Sequence, residues 1–85
     1  MRVQTTPAFD RDYARLPGEI KDAVDKQLAL LLSNPRHPSL RLKKIRGTED
    51  IWEVRVTRSH RISLTMAGDT FILRRLGPHD VLREP

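Results

Sequence analysis

The chain has 85 residues, no cysteine, and 16 Lys and Arg against 11 Asp and Glu, which gives a net charge of +5. This length predicts one domain, residues 1–85, with one modest core, and the lack of cysteine excludes disulfides and thiolate metal sites. No apolar run approaches the roughly 20 residues that cross a bilayer, and the N-terminus lacks the apolar region of a signal peptide. We therefore expect a cytoplasmic protein with an anionic partner, nucleic acid before a membrane surface.

The first 33 residues predict a short strand followed by two helices. Residues 1–5 form an edge or joining strand, and Thr6-Pro7 favours a helix start, because Thr caps free amides and Pro suits the first helical position. The first helix ends before Pro17, since a residue that precedes proline is pushed out of the α region. Two apolar stripes at helical spacing mark the buried faces: Phe9, Tyr13 and Leu16 in the first helix, and Ile20, Val24, Leu28 and Leu31 in the second.

Residues 34–39 contain two prolines and predict a linker. Four runs with alternating character follow, separated by short breaks rich in turn residues. Strands that are joined by such short breaks have to reverse direction, so the pattern predicts an antiparallel meander. The four runs are residues 40–47, 51–56, 61–66 and 71–79.

The alternation gives the predicted sheet one apolar face and one cationic face. Packing needs only a polar outer face, yet five Lys or Arg and no acid lie between Arg36 and Arg46. A charge run of this kind is usually a solvated strand face, but its position beside two further strands with arginines favours phosphate binding. The predicted apolar face holds Leu40, Leu42, Trp52, Val54, Val56, Ile62, Leu64 and Met66, and the cationic face holds Arg41, Lys43, Glu53, Arg55, Arg61, Ser63 and Thr65.

The predicted fold is α+β, with a short N-terminal strand and a two-helix hairpin packed on a four-stranded antiparallel meander. The sequence resembles the RelE/ParE toxin superfamily over nearly its whole length. The resemblance rests on an ordered set of pieces: Phe9-x-x-x-Tyr13-x-x-Leu16-Pro17-x-x-Ile20, Asn34-Pro35-Arg-His-Pro38-x-Leu40, Ile51-Trp52-Glu53-Val-Arg55-Val, His60-Arg61-Ile, and Leu73-Arg-Arg-Leu-Gly77-Pro-His79-Asp80.

This resemblance implies a RelE-like fold and the toxin of a type II toxin–antitoxin module, held inactive by a cognate antitoxin. Most RelE-like members cut messenger RNA, often on the ribosome, and so repress translation without a metal or cofactor. Two alternatives stay open: a ParE-like inhibitor of DNA gyrase, and a relative that binds RNA without catalysis. A gyrase inhibitor has no use for a proton donor, so Gly77-Pro78-His79 and a carboxylate at Glu53 count against it.

Cutting RNA without a metal uses the neighbouring 2′-hydroxyl as the nucleophile, and the enzyme must stabilise extra charge on the phosphoryl oxygens. Arginine suits this task because its planar fork donates two parallel hydrogen bonds. Arg61 begins a strand on the cationic face and matches the arginine that RelE-like nucleases keep there. The alternative is a surface arginine paired to Glu53 across the strands, and such a pair could also orient a catalytic arginine.

Three histidines could exchange a proton near neutral pH. His79 is the best candidate for the proton donor, because it follows the last strand behind Gly77-Pro78 and resembles the histidine of the Gly-x-His setting in this family. The alternative is a solvated loop histidine or one bonded to Asp80. His60 and His37 are weaker candidates, and His37 between two prolines suits a structural role.

Glu53 is the candidate general base, since a carboxylate among cations stays ionised and ready to accept a proton, although it is then a weak base. Some relatives use a histidine or lysines instead. The tail after Asp80 lacks the aromatic residue with which several relatives stack on a base, so stacking must come from elsewhere. Alternation does not show whether Arg74 or Arg75 faces the site. The predicted RNA-binding residues are Lys43, Lys44, Arg46, Arg55 and, from that pair, Arg75.

Overall fold

The chain folds as two helices on one side of a five-stranded mixed sheet. The structure is a computed structural model that describes the backbone of residues 1–85 and every side chain except that of His79. Two 3₁₀ segments, Pro38–Leu40 and His79–Arg83, complete the architecture. The regular elements are β1 (Arg2–Thr5), α1 (Pro7–Ala14), α2 (Gly18–Ser33), β2 (Lys43–Lys44), β3 (Trp52–Arg55), β4 (His60–Ala67) and β5 (Thr70–Pro78).

The sheet has the strand order β1-β5-β4-β3-β2. The last four strands form the predicted antiparallel meander, while β1 pairs in parallel with β5 through Arg2↔Thr70 to Thr5↔Leu73. The α+β prediction, with two helices packed on an antiparallel meander, is therefore confirmed. The N-terminal strand is an edge strand that raises the sheet to five strands.

Thr6 lies between β1 and α1, and its single hydroxyl group bonds to both α1 and β5. Its Oγ1 accepts the N–H of Phe9 at 3.2 Å, as predicted for a helix cap. The same hydroxyl donates to the carbonyl oxygens of Leu73 at 2.9 Å and Arg74 at 3.0 Å. Because β1 ends at this point, Thr6 provides the donor for the edge of β5 that a longer strand would have supplied.

The core lies between the helices and the sheet. It is built from Phe9 of α1, Val24 and Leu31 of α2, and the inward residues of the strands. The predicted apolar face is confirmed at the fully buried positions Val54, Ile62 and Leu64. Met66 also lies on this face, opposite Phe71, but it is 41% exposed because residues 66–69, around the β4–β5 turn, extend beyond the helices.

The predicted first strand of the meander, residues 40–47, is mostly not a strand. Leu40 is buried as predicted, but it ends the Pro38–Leu40 turn. His37 caps this turn, since its Nδ1 accepts the N–H of Ser39 at 3.2 Å, which confirms a structural role for His37. Arg41 then adopts a left-handed conformation with φ 47°, so the chain changes direction and only Lys43–Lys44 pair with β3.

A β-bulge in β5 explains why simple alternation could not orient Arg74 and Arg75. The register runs from Ser63↔Arg75 directly to Leu64↔Leu73, which leaves Arg74 without a partner in the ladder. The extra residue allows Leu73 and Leu76 to oppose Leu64 and Ile62 on the same inner face. Arg75 therefore lies on the outer face with Ser63.

Candidate nucleic-acid interface

The outer face of the sheet is the side away from the helices, and the register arranges its side chains in two rows. Residues that oppose one another directly across antiparallel strands share a face. The first row crosses four strands, and the second row lies one step closer to the β3–β4 turn. The first is Lys43, Glu53, Ser63 and Arg75, and the second is Arg55, Arg61 and Gly77.

The second row sets two arginines directly opposite each other. Arg55 and Arg61 are Cα partners in the β3–β4 ladder, and like charges in such positions destabilise a sheet. Arg61 is held by the turn that precedes it: its Nη1 donates to the carbonyl oxygens of Thr57 at 2.7 Å, His60 at 3.0 Å and Arg58 at 3.3 Å. These bonds fix the direction of the guanidinium group.

The expected alternative for Arg61, an ion pair with Glu53, is wrong. Glu53 opposes Ser63 on one side and Lys43 on the other, one row away from Arg61. Glu53 instead forms an ion pair with Lys43, in which its Oε1 lies 3.6 Å from the Nζ of the lysine. The row of Arg55 and Arg61 therefore carries its positive charge without a carboxylate between its members.

Arg55 lies in a strongly positive environment. The charge of Arg41, followed by burial and the charges of Arg61 and Arg58, lowers the pKa of Arg55 below its usual value. Within the described side chains Arg55 has no salt bridge. An anion placed between Arg55 and Arg61 would relieve this repulsion, so the second row suits a phosphate group.

The outer face is less open than the sequence predicts. The C-terminal segment, residues 80–85, packs across its first row, and there Ser63 is fully buried and Glu53 is only 7% exposed. The Oγ of Ser63 and the Nε of Arg74 both donate to the carbonyl oxygen of Pro85, at 3.1 and 2.9 Å. Glu53 is therefore a buried carboxylate under this segment and not an exposed one.

Asp12 of α1 forms an ion pair with Arg75. The sequence analysis did not identify Asp12 as a site residue. The Nε and Nη2 of Arg75 donate to the two carboxylate oxygens of Asp12 at 2.8 and 3.3 Å, and the N–H of Leu76 donates to Asp12 at 3.0 Å. The hydrogen bond and charge of Asp12 raise the pKa of Arg75. Sixty-three positions separate the two residues, so no local pattern could have indicated the contact.

No protein-family model matches the chain, and no characterised protein matches it in sequence. Solved structures match it over almost its whole length. RelE in the RelB–RelE antitoxin–toxin complex from Methanococcus jannaschii has 23% identity and a TM-score of 0.73, with 95% of each chain covered. YafQ from E. coli has 12% identity and a TM-score of 0.79 over 96% of this chain and 98% of that one. The YoeB/ParE toxin from Agrobacterium tumefaciens has 16% identity and a TM-score of 0.77 over 93% and 99%.

The chain has the RelE/ParE toxin fold. On this fold the predicted residues fall into separate groups. Arg55 and Arg61 form the second row, and Glu53, Lys43 and Arg75 lie in the first. The exposed Lys44 ends strand β2, and the exposed Arg46 follows it. Lys44 opposes Trp52, an inward residue, so Lys44 does not share the outer face. A groove of about 460 Å³ lies beside the C-terminal segment and is bordered by Lys43, Lys44, Arg46, Glu53 and Leu82.

The histidine predictions have different outcomes on the RelE/ParE fold. The side chain of His79 lies outside the described part of the structure, so its role as a proton donor stays a prediction. His60 is half-buried, and its Nδ1 lies 2.9 Å from the Oγ1 of Thr57, in the same turn that holds Arg61. Among the described residues no cluster of three His, Cys, Asp or Glu could hold a metal ion, and none of the helices is long and apolar enough to span a membrane.

Proposed function

We propose that this chain is the toxin of a toxin–antitoxin module and cuts messenger RNA through the 2′-hydroxyl of the RNA, without a metal ion. The observation that carries the proposal is the directly opposed pair Arg55 and Arg61 on a RelE/ParE fold, one row from Glu53. Two arginines that destabilise the sheet when it is empty become favourable when they share an anion. A phosphoryl group that gains charge in the transition state benefits most.

The proposed reaction assigns one task to each group. Glu53 accepts the proton of the 2′-hydroxyl, whose oxygen attacks the adjacent phosphorus. Arg61, oriented by three carbonyl oxygens of the Thr57–His60 turn, donates to the phosphoryl oxygens as their charge increases. His79 gives a proton to the leaving 5′-oxygen, and the RNA ends as a 2′,3′-cyclic phosphate and a 5′-hydroxyl. Lys43, Arg55 and Arg75 hold the backbone of the RNA on the outer face, and Lys44 and Arg46 hold it along the groove beside the C-terminal segment.

Access to Glu53 requires a movement in this mechanism. Ser63 and Glu53 are buried while Pro85 accepts hydrogen bonds from Ser63 and Arg74. Two hydrogen bonds of this kind contribute only about 1–3 kcal/mol each, which is little compared with the packing of the core. Residues 80–85 therefore shift from the first row when RNA binds.

The proposed partners are a cognate antitoxin and messenger RNA on the ribosome. The matched RelE from Methanococcus jannaschii was solved with its antitoxin RelB. An acidic antitoxin segment over the second row would neutralise the cations that the RNA uses, so inhibition and substrate binding compete for the same charges.

Primer extension on total RNA tests this proposal after the chain is induced in bacterial cells. We expect growth arrest and discrete new 5′ ends within reading frames. The matched control is Arg61→Ala, which should give neither. Intact transcripts together with DNA damage would contradict the proposal and support inhibition of gyrase.

A further inference from the structure

A second cationic feature lies where β3 extends past the short strand β2. We name it the edge groove; it has a volume of about 500 Å³, within the roughly 300–1,000 Å³ range of small-ligand sites. Helix α2, the Pro38–Leu40 turn and the β3–β4 turn surround it. Its lining residues are Ala23, Lys26, Gln27, Pro38, Ser39, Arg41, Arg55, Val56, Thr57 and Arg58.

The edge groove concentrates positive charge without compensation. Lys26, Arg41, Arg55 and Arg58 line it, and no acidic residue does. None of these four cations forms a salt bridge within the described side chains. Charges of one sign in a concave surface repel one another in the empty protein and attract a counter-ion. The groove therefore favours an anionic ligand.

The backbone of the edge groove is built at an energetic cost. Arg41 has φ 47°, a left-handed conformation that is uncommon for residues other than glycine and asparagine. Gln27, only 6% exposed, donates from Nε2 to the carbonyl oxygens of Arg55 at 2.9 Å and Ser39 at 3.3 Å. This amide ties α2 to both walls and holds the groove open as a fixed shape. At this backbone conformation a glycine would be more stable than arginine, so the cation at position 41 is present at a cost in stability.

We propose that the edge groove binds a phosphodiester group of single-stranded RNA that flanks the group bound between Arg55 and Arg61. This inference rests on the proposed function and adds a second phosphate subsite to it. Arg41, Lys26 and Arg58 hold the phosphate, and the apolar atoms of Ala23, Pro38 and Val56 contact the attached sugar.

Continuity between the two surfaces favours RNA over an acidic peptide. Arg55 belongs to both, since it opposes Arg61 in the second row and also lines the edge groove. A nucleic-acid strand carries a phosphate on every nucleotide, so one strand that passes Arg55 brings an anion to each surface. Carboxylates in a peptide have no such regular spacing.

The test measures binding of a 2′-O-methyl oligoribonucleotide, which lacks the nucleophile and stays uncut, by fluorescence anisotropy at several salt concentrations. The groove variant is Lys26→Gln with Arg41→Gly; glycine suits the backbone at position 41, so the fold is retained, and melting curves verify it. The control variant, Arg2→Gln with Arg11→Gln, removes the same charge from exposed positions on β1 and α1.

We expect the groove variant to bind about tenfold more weakly, since hydrogen bonds to a charged group are lost. Its plot of log K against log salt should be shallower by about 0.7, the contribution of one single-strand phosphate. The control variant should stay within about twofold of the wild type, because distant exposed charges are screened.

The outcomes separate this inference from the proposed function. Equal affinity and equal salt dependence in the groove variant and the wild type overturn the edge groove as an RNA site. The same result together with weaker antitoxin binding also overturns it and assigns the groove to the protein partner. If the wild type itself shows no salt-dependent RNA binding, both the groove and the proposed function are wrong.

Discussion

At the scale of single residues, the cations of this chain differ in how firmly they are held. Arg61 is fixed by three backbone carbonyls, Arg75 by a carboxylate, and Arg55 by neither. A fixed guanidinium group loses little entropy when it binds a phosphate, which favours catalysis. Arg61 therefore suits the transition state, and Arg55 suits adaptable contact with the RNA backbone.

Asp12 makes stability depend on pH in the acid range. Burial, the largest single effect, opposes ionisation, but the hydrogen bonds from Arg75 and the Leu76 amide and the charges of Arg75 and Arg15 outweigh it. The pKa of Asp12 therefore lies below its ordinary value of 3.8. Because this pKa is lower in the folded state, Asp12 contributes stability above about pH 3.8, and that contribution is lost as the pH falls below this value.

The variant Asp12→Asn tests this contribution. At neutral pH we expect a loss of about 1–2 kcal/mol, toward the lower end because Arg75 is partly exposed. Urea unfolding at a series of pH values should show that the difference between the wild type and the variant shrinks below pH 3.8. A difference that stays constant down to pH 2 would refute the role given to Asp12.

At the scale of elements, the sequence predicted the helices and the meander because each is marked by local patterns. Thr6-Pro7 and the stripe from Ile20 to Leu31 predict both helices close to their observed bounds. The bulge at Arg74 and the shortened β2 were not predicted. Both depend on long-range packing, since Leu73 and Leu76 must face the same core and Leu40, at the end of the Pro38–Leu40 turn, must be buried.

The sequence pattern also did not predict that the C-terminal segment covers part of the outer face. Residues 80–85 carry no periodicity, and their contact with Ser63 joins positions 22 residues apart. Alternation correctly placed Glu53 and Ser63 on the outer face, but it predicts only the side of a strand and not what lies above it. The positions of these residues were thus predicted, and their burial was not.

Gln27 joins α2 to the sheet edge, so its removal should weaken the contact between these elements. Gln27→Leu keeps the size but leaves the carbonyl oxygens of Arg55 and Ser39 without this donor. We expect a loss of about 1–3 kcal/mol in the free energy of unfolding. The matched control is Gln4→Leu on the exposed edge strand, which should change stability by about 0.5 kcal/mol or less. Equal effects of the two substitutions would contradict the role of Gln27.

The C-terminal segment should protect the first row in the free protein. The chain has no cysteine, so Ser63→Cys introduces a single thiol beneath the segment. We expect this thiol to react with a thiol reagent at least about tenfold more slowly than the thiol of Ser59→Cys in the exposed turn. A tenfold difference corresponds to a free energy of about 1.4 kcal/mol for displacing the C-terminal segment from the first row. Removing residues 80–85 should abolish the difference. Equal rates in the intact chains would show that the first row is open.

At the scale of the whole molecule, one connected surface holds five cations that form no salt bridge with a described side chain: Lys26, Arg41, Arg55, Arg58 and Arg61. The second row and the edge groove meet at Arg55, and the described ion pairs, Arg2–Asp69, Lys43–Glu53 and Arg75–Asp12, leave this surface without a carboxylate partner. The free protein therefore keeps a repulsion that a polyanionic partner relieves, whether that partner is RNA or an acidic antitoxin segment.

An antitoxin that covers this surface should stabilise the chain by mass action. At a free concentration about a hundredfold above Kd, the gain is about 2.7 kcal/mol, which raises Tm by roughly 10 °C or more for a chain of this size. Calorimetry measures this shift with a candidate antitoxin, such as a small protein that a gene next to this one would encode. An unchanged Tm at saturating concentration would show that the candidate is not the partner proposed here.

The most direct test of the central claim is the rate of messenger RNA cleavage on programmed ribosomes by the wild type and by folded Arg61→Ala and His79→Ala. We expect both variants to fold, with a loss of stability of about 1 kcal/mol, and melting curves verify this before the rates are compared. Arg61→Ala should cut at least about a hundredfold more slowly, and His79→Ala roughly 10²–10⁴-fold more slowly. If both variants cut at the wild-type rate, the catalytic assignment made here is wrong.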